Sequence, residues 1–187
     1  MLDAIYEIDF SVLAFIRENF RCDVMDVIMK LFTYAGNWGI VWIVITIGLL
    51  ISKTHRRLGG NMAIGLIICL MLGNLLIKLT VARERPFVVD PSINIIISPP
   101  TDYSFPSCHS FSSFVSASIL AKFSRRAGAF AIPAAILISF SRLYFCVHFP
   151  SDVICGAALG IIAGLTVSRL RRDRSEEIIS VSENERS

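Results

Sequence analysis

Charge is scarce in this sequence. Only 18% of its 187 residues are charged, against 54% hydrophobic, and the mean hydropathy is +0.65. That mix excludes an ordinary soluble domain and indicates a single membrane domain. Cysteine is sparse: five residues, at 22, 69, 108, 146 and 155. Their number is odd and they lack metal-ligand spacing, so neither a zinc site nor a full disulfide framework is implied. Acidic residues never gather as a magnesium or zinc ligand set, so no metal and no cofactor is expected. The opening Met1-Leu2-Asp3-Ala4-Ile5-Tyr6-Glu7 lacks the basic n-region and unbroken apolar core of a signal peptide, which leaves insertion to later spans. No internal repeat is visible. Nucleic acid is not an expected partner, because the basic residues sit at the ends of apolar runs or inside three polar clusters, and membrane lipids are the expected one.

What the chain does hold is long uncharged runs. Residues 31–51 and 58–77 each suffice to cross a hydrocarbon layer of roughly 30 Å, with Gly36-Asn37 marking a bend in the first. Further spans are expected near 106–121, 127–146 and 149–168. Before them come two amphipathic pieces. Ile5, Ile8, Val12, Phe15, Ile16 and Phe20 recur at helical spacing opposite Asp3, Glu7, Ser11 and Glu18; Val24, Val27, Ile28, Leu31 and Phe32 do so opposite Asp23, Asp26 and Lys30. The connection 83–104, with Pro86, Pro91, Pro99 and Pro100, is too broken for a helix at membrane depth. The expected fold is therefore an all-α polytopic bundle of about five transmembrane helices. It divides into an amphipathic N-terminal region (1–30), a transmembrane domain (31–170) and a polar tail (171–187) without fixed structure.

If all five runs cross, the basic clusters at 53–57, 122–126 and 169–174 share one side. The positive-inside rule makes that side the cytoplasm, with the C-terminus there and the chain in the plasma membrane. Lys78, the 83–105 connection, His109 and His148 then meet at the outer face.

Those residues form three clusters. In Ser141 to Asp152, an arginine, a histidine and a carboxylate share one apolar hairpin, where each is costly without a partner or a task. His148 and Asp152 are four apart, and Pro150 suits the first turn of a new helix, so Asp152 can fix the tautomer of His148 for nucleophilic attack or proton transfer. Arg142 can anchor an anion. The alternative is a helix hairpin with an interfacial arginine and a capping aspartate. In the second cluster, Lys78 and Arg85 are seven apart; if the helix continues, they share a face and can grip one anion. Snorkelling cations are the alternative there. The third, Ser104 to Ser110, opens a span: a helix N-terminus at Cys108 and His109 offers unpaired amides, Ser107 adds a hydroxyl, and His109 can act as a general acid or merely cap the helix. Together these groups define a phosphate pocket whose charge comes from the protein itself.

Lysine, six residues, Arg-Pro; Pro-Ser-x-His; Ser-Arg, five residues, His, three residues, Asp: this order resembles the three-part signature of the type 2 phosphatidic acid phosphatase family of membrane lipid phosphatases, across about residues 58–168. The resemblance implies that His148 attacks phosphorus to form a phosphohistidine, Asp152 orients it, and His109 protonates the leaving group. It also implies that Lys78, Arg85, Arg142, Ser107 and the amides at 108–109 hold the phosphate. Undecaprenyl diphosphate is the leading substrate it suggests, followed by phosphatidylglycerol phosphate and phosphatidate. A phosphotransferase is the rival within enzymes, and a non-catalytic anion-binding or transport protein the rival outside them. The family usually has glycine where Cys108 stands and often where Cys146 stands, which brings the cradle's geometry at Cys108 into question. A disulfide between these two cysteines is one reading; two small residues filling glycine space is the other.

Overall fold

The computed structural model describes residues 2–184, with side chains from Ala4 to Leu170. The described residues form helices and connections without strands. Helix α1 (Leu2–Phe20) and α2 (Asp23–Gly36) carry the two amphipathic patterns. Their apolar stripes face outward: Ile8, Phe15, Val24, Val27 and Leu31 are all exposed, as suits helices against lipid. An adjoining face of α1 packs inward through Asp9, Leu13 and Ile16, the last of these being the one stripe residue that is buried.

The α2 helix passes beyond residue 30 into a 3₁₀ turn at Asn37–Gly39, where Trp38 has φ 55°, and then into α3 (Ile40–Ile51). The bend expected at Gly36-Asn37 is this turn. The next element starts as α4 (Arg56–Ile68), widens to π-helix over Cys69–Ile77, and closes as α5 (Lys78–Val81). After a short α6 (Pro86–Val89) and an irregular connection come α7 (Cys108–Phe123), α8 (Arg125–Tyr144) and α9 (Pro150–Asn184). The polar tail beyond residue 170 continues α9 as backbone helix to Asn184, rather than as structureless chain. No glycine or proline interrupts it there. Residues 185–187, at the end of that tail, lie outside the described residues.

Among the described residues four helices are long and apolar enough to cross a membrane: Asp23–Ile51, Arg56–Val89, Arg125–Tyr144 and Pro150–Leu170. The fifth expected span forms as α7, but its 16 residues rise only about 24 Å. It is instead the bundle's central helix, packed against α4, α8 and α9 and burying four serines along with Phe111, Val115 and Ile119. Trp42 of α3 donates its indole N–H to Ser113 Oγ at 2.9 Å, satisfying one of those serines.

The approach of α9 to α7 is set by glycine. A Cβ at Gly156 would lie 2.5 Å from the Ser107 carbonyl oxygen, at Gly160 2.7 Å from that of Phe111, and at Gly164 2.8 Å from that of Val115. Three small residues at four-residue spacing let the two backbones touch, as in membrane helix pairs. This contact fixes the start of α9, and so Asp152, against the start of α7. At the other end of the bundle, the α3–α4 and α7–α8 turns meet, with the His55 ring edge-on to Phe123 at 5.5 Å. Two of the basic clusters therefore share one end.

Candidate active site

Three turns build the site at the end opposite His55. The first follows α5. A face shared by Lys78 and Arg85 required the helix to continue through residue 85, but Ala82 adopts a left-handed conformation (φ 47°, ψ 38°), its N–H bonding Lys78 O at 3.1 Å, and ends the helix. Lys78 and Arg85 still converge, through this turn and not through helical periodicity. The second turn precedes α7 and contains a cis Phe105–Pro106 bond. The third joins α8 to α9, and Cys146 there has φ 51°. A side chain in this region costs about 1–2 kcal/mol relative to glycine, so the glycine-like position is Cys146. Cys108, the first residue of α7, has no such conformation.

His148 is 2% exposed, and each ring nitrogen has a distinct partner. Nε2 lies 3.2 Å from Arg85 Nη1. A guanidinium only donates, so Nε2 must present its lone pair and Nδ1 carries the proton. Nδ1 lies 3.4 Å from Ser104 Oγ and 3.5 Å from Asp152 Oδ2. Asp152 is fully buried and densely bonded: Oδ2 accepts from Ser104 Oγ at 2.5 Å and from the Phe149 N–H at 2.9 Å, and Oδ1 accepts from Arg83 Nη1 at 2.6 Å.

Besides Arg83, three cations lie near this pair. Arg85 also donates to the Val147 carbonyl at 2.6 Å, and Arg142 is 3% exposed. Arg142 Nη1 bonds Thr33 Oγ1 at 2.5 Å, while its Nε is a buried donor with no partner among the described residues. Such an orphan is costly unless a ligand fills it. Lys78 Nζ and Arg85 Nη2 are spanned by one carboxylate, Asp102, at 2.5 Å and 2.6 Å. Burial opposes ionisation of Asp102, but the two cations outweigh it and hold its carboxyl at about 2. Its side chain is 52% exposed. Asp102 thus sits on the cations as an anion from solution would.

His109, in the first turn of α7, places Nε2 3.0 Å from Asn37 Oδ1 at the α2–α3 bend. Ser107 is buried, its Oγ accepting from Ser110 at 3.2 Å and its N–H bonding the Asp152 carbonyl at 3.2 Å. Cys108 directs its Sγ at Asn74 Oδ1, 2.8 Å away in the π-helical stretch. The two cysteines do not pair. All five are free thiols; Cys146 packs with Leu13, Ile93 and Phe149, whereas Cys108 faces Asn74 and Cys69.

The sequence that carries these residues matches a known family model. Residues 56–176 fit the model described as the PAP2 superfamily, well over half of the chain. The chain belongs to the PAP2 superfamily. Among curated relatives, an undecaprenyl-diphosphatase from Sulfolobus acidocaldarius is 38% identical over 122 residues, covering 64% of this chain. The chain spans only 58% of that relative's length. Two solved structures share the fold at TM-score 0.75. One is a transmembrane PAP2 type phosphatidylglycerolphosphate phosphatase from Bacillus subtilis (23% identity, covering 91% of this chain and 87% of that one); the other is LpxE from Aquifex aeolicus (27% identity, 87% and 95%).

In this PAP2 chain, the structure brings Lys78, Arg85, Ser107, Cys108, His109, Arg142, His148 and Asp152 to one end of the bundle. Five others were missed. Arg83 stands two residues before Arg85, and its signal was the Arg-Glu-Arg run. Asp102 and Ser104 precede the Pro-Ser-x-His cluster. Asn37 stands at the bend already suspected. Asp9 shares an i, i+4, i+7 face with Leu13 and Ile16, and that face is the one that turns inward.

Proposed function

We propose that this PAP2 protein hydrolyses a lipid phosphate or diphosphate, without a metal, through a phosphohistidine on His148. The observation that carries the reading is a buried imidazole whose Nε2 lone pair faces a cluster of buried cations, one of them holding an unfilled donor. An arriving phosphate displaces Asp102 from Lys78 and Arg85 and takes up Arg142 Nε. The N-terminus of α7, with Ser107, completes the cradle. His148 Nε2 then bonds phosphorus as the bond to the lipid oxygen breaks, and His109 gives that oxygen a proton. Asp152 steadies the Nδ1 proton and the positive charge that develops on the ring. Water attacks phosphorus in turn, His109 takes its proton, and the nitrogen–phosphorus bond breaks to release phosphate.

The Sulfolobus relative makes undecaprenyl diphosphate the first substrate to try, with phosphatidylglycerol phosphate and phosphatidate next. The basic end near His55 and Phe123 supports a cytoplasmic position for that end and an outer-face position for the site, in the plasma membrane. Purified protein is assayed for phosphate release from these three lipids, with and without EDTA. Release from at least one, undiminished by EDTA, is the expected outcome. Full loss in EDTA would overturn the metal-free mechanism, and no release from any lipid would favour anion binding or transport instead.

A further inference from the structure

The family match begins at residue 56, yet a buried charge from outside it reaches the nucleophile's support. Asp9, on α1, is 2% exposed. Its Oδ1 accepts the Ser151 N–H at 2.9 Å, and its Oδ2 accepts Arg83 Nη2 at 2.7 Å and Ser151 Oγ at 2.5 Å. Arg83 turns its other arm to Asp152 Oδ1 at 2.6 Å and to Ser151 Oγ at 2.7 Å. Its guanidinium is clasped between rings, 4.7 Å from the centroid of Tyr6 and 4.1 Å from that of Phe149. A planar fork held by two carboxylates and two aromatic faces has one orientation available.

The consequence falls on Asp152. Its Oδ1 is committed to Arg83, which leaves Oδ2 to face Ser104, the Phe149 amide and His148 Nδ1. Without Arg83, two buried carboxylates would lie across Ser151 with no cation between them, and Asp152 would be free to turn. Without the charge on Asp9, Arg83 keeps Asp152 but loses the anchor that sets its angle. Neither residue approaches the phosphate cations Lys78 or Arg142 by any hydrogen bond in the structure.

We propose that Arg83 and Asp9 are positioning residues for the phosphatase reaction, and that α1 is a working part of the site, acting through Asp152 to hold His148 in its attacking tautomer and angle. The inference rests on the proposed hydrolase activity. A residue that acts this way changes the chemical step and leaves phosphate binding alone. On this reading Asp9 reaches Asp152 through Arg83, its bonds to Ser151 serving to dock α1, so its loss should cost no further activity once Arg83 is gone, whereas a merely structural role exercised through Ser151 would add a second, independent loss.

The test is kcat and KM of the full-length protein on the lipid phosphate it hydrolyses, with the inhibition constant of orthovanadate as a probe of the phosphate pocket. Expected for Asp9→Asn is a fall in kcat of about tenfold, with KM and the vanadate constant within about twofold. Arg83→Gln should fall about a hundredfold, Arg83→Lys less, and Asp9→Asn combined with Arg83→Gln no further than Arg83→Gln alone. Wild-type kcat in Asp9→Asn, losses that multiply in the double variant, or an effect confined to KM would each overturn the inference while leaving the hydrolase reading intact. Should Asp9→Asn fail to fold, Arg83→Lys keeps the charge and decides alone: wild-type kcat there overturns it. A wild-type protein inactive on every lipid phosphate would overturn the hydrolase reading, and this inference with it.

Discussion

Two carboxylates of this site each bridge an arginine, and they differ in almost everything else. Asp152 is fully buried, accepts from Arg83, Ser104 and the Phe149 amide, and sits on a helix locked to α7 by glycine contacts. Asp102 is half exposed, lies on an irregular connection, and touches only Lys78 and Arg85 through its carboxylate. The first is fixed by burial and by more bonds than one rotation could replace. The second has its backbone carbonyl bonded by Arg85 Nε at 2.7 Å, but its carboxylate is held by two ion pairs alone, at a surface where water and other anions compete. One site thus contains a buried carboxylate fixed beside His148 and a half-exposed one resting on Lys78 and Arg85; under the proposed function, the first orients the nucleophile and the second holds the substrate's place.

That difference can be broken from either side. The largest effect is expected for Asp152→Ala, which frees the His148 tautomer and strands Arg83: kcat should fall by about a thousandfold or more, and thermal unfolding in detergent should show a loss of about 3–5 kcal/mol. An activity loss below about tenfold would make the two carboxylates alike. Asp102→Asn should act in the opposite direction. Removing the internal competitor should tighten orthovanadate and inorganic phosphate binding by about tenfold, with kcat little changed, as read by inhibition constants. Weaker binding in Asp102→Asn would mean that this carboxylate organises the cations for substrate.

The pH dependence of that clamp follows from its sign. A carboxyl depressed to about 2 contributes its ion pairing fully above the ordinary carboxylate value near 4, and loses it as pH falls from there toward 2. The ratio of vanadate constants between wild type and Asp102→Asn should therefore stay flat from about pH 5 to 8, once vanadate's own protonation is allowed for. The smallest effect is expected at Cys146, whose φ of 51° suits glycine: Cys146→Gly should raise stability by about 0.5–1 kcal/mol with activity unchanged, measured by thermal unfolding.

Much of this was legible in the chain. Long uncharged runs announced the helices, because lipid tolerates few charges, and the spacing within three polar clusters picked out Lys78, Arg85, Ser107, Cys108, His109, Arg142, His148 and Asp152. What could not be read shares one cause: it depends on where the backbone turns. Alanine is the best helix former, so nothing marked Ala82 as the left-handed residue that ends α5 and sends Arg83 and Arg85 in different directions. Asp102 looked like one polar residue in a proline-rich connection. Asp9 looked like one of several acids on an interfacial helix, since amphipathic spacing shows that a helix has two faces and not which of them meets the protein. The run Gly156, Gly160, Gly164 was readable as a close-packing signal, and it explains how a 16-residue helix came to the centre of a membrane bundle.

The central claim is that His148 Nε2 takes the phosphoryl group with no metal present. A single turnover with lipid phosphate labelled in its terminal phosphate, quenched rapidly in alkali in the presence of EDTA, tests it directly. The account predicts a transient, acid-labile label on the protein that is absent from His148→Ala, together with loss of phosphate release in that variant. Continued release from His148→Ala, or release from the wild type with no protein-bound phosphate at any time, would contradict it.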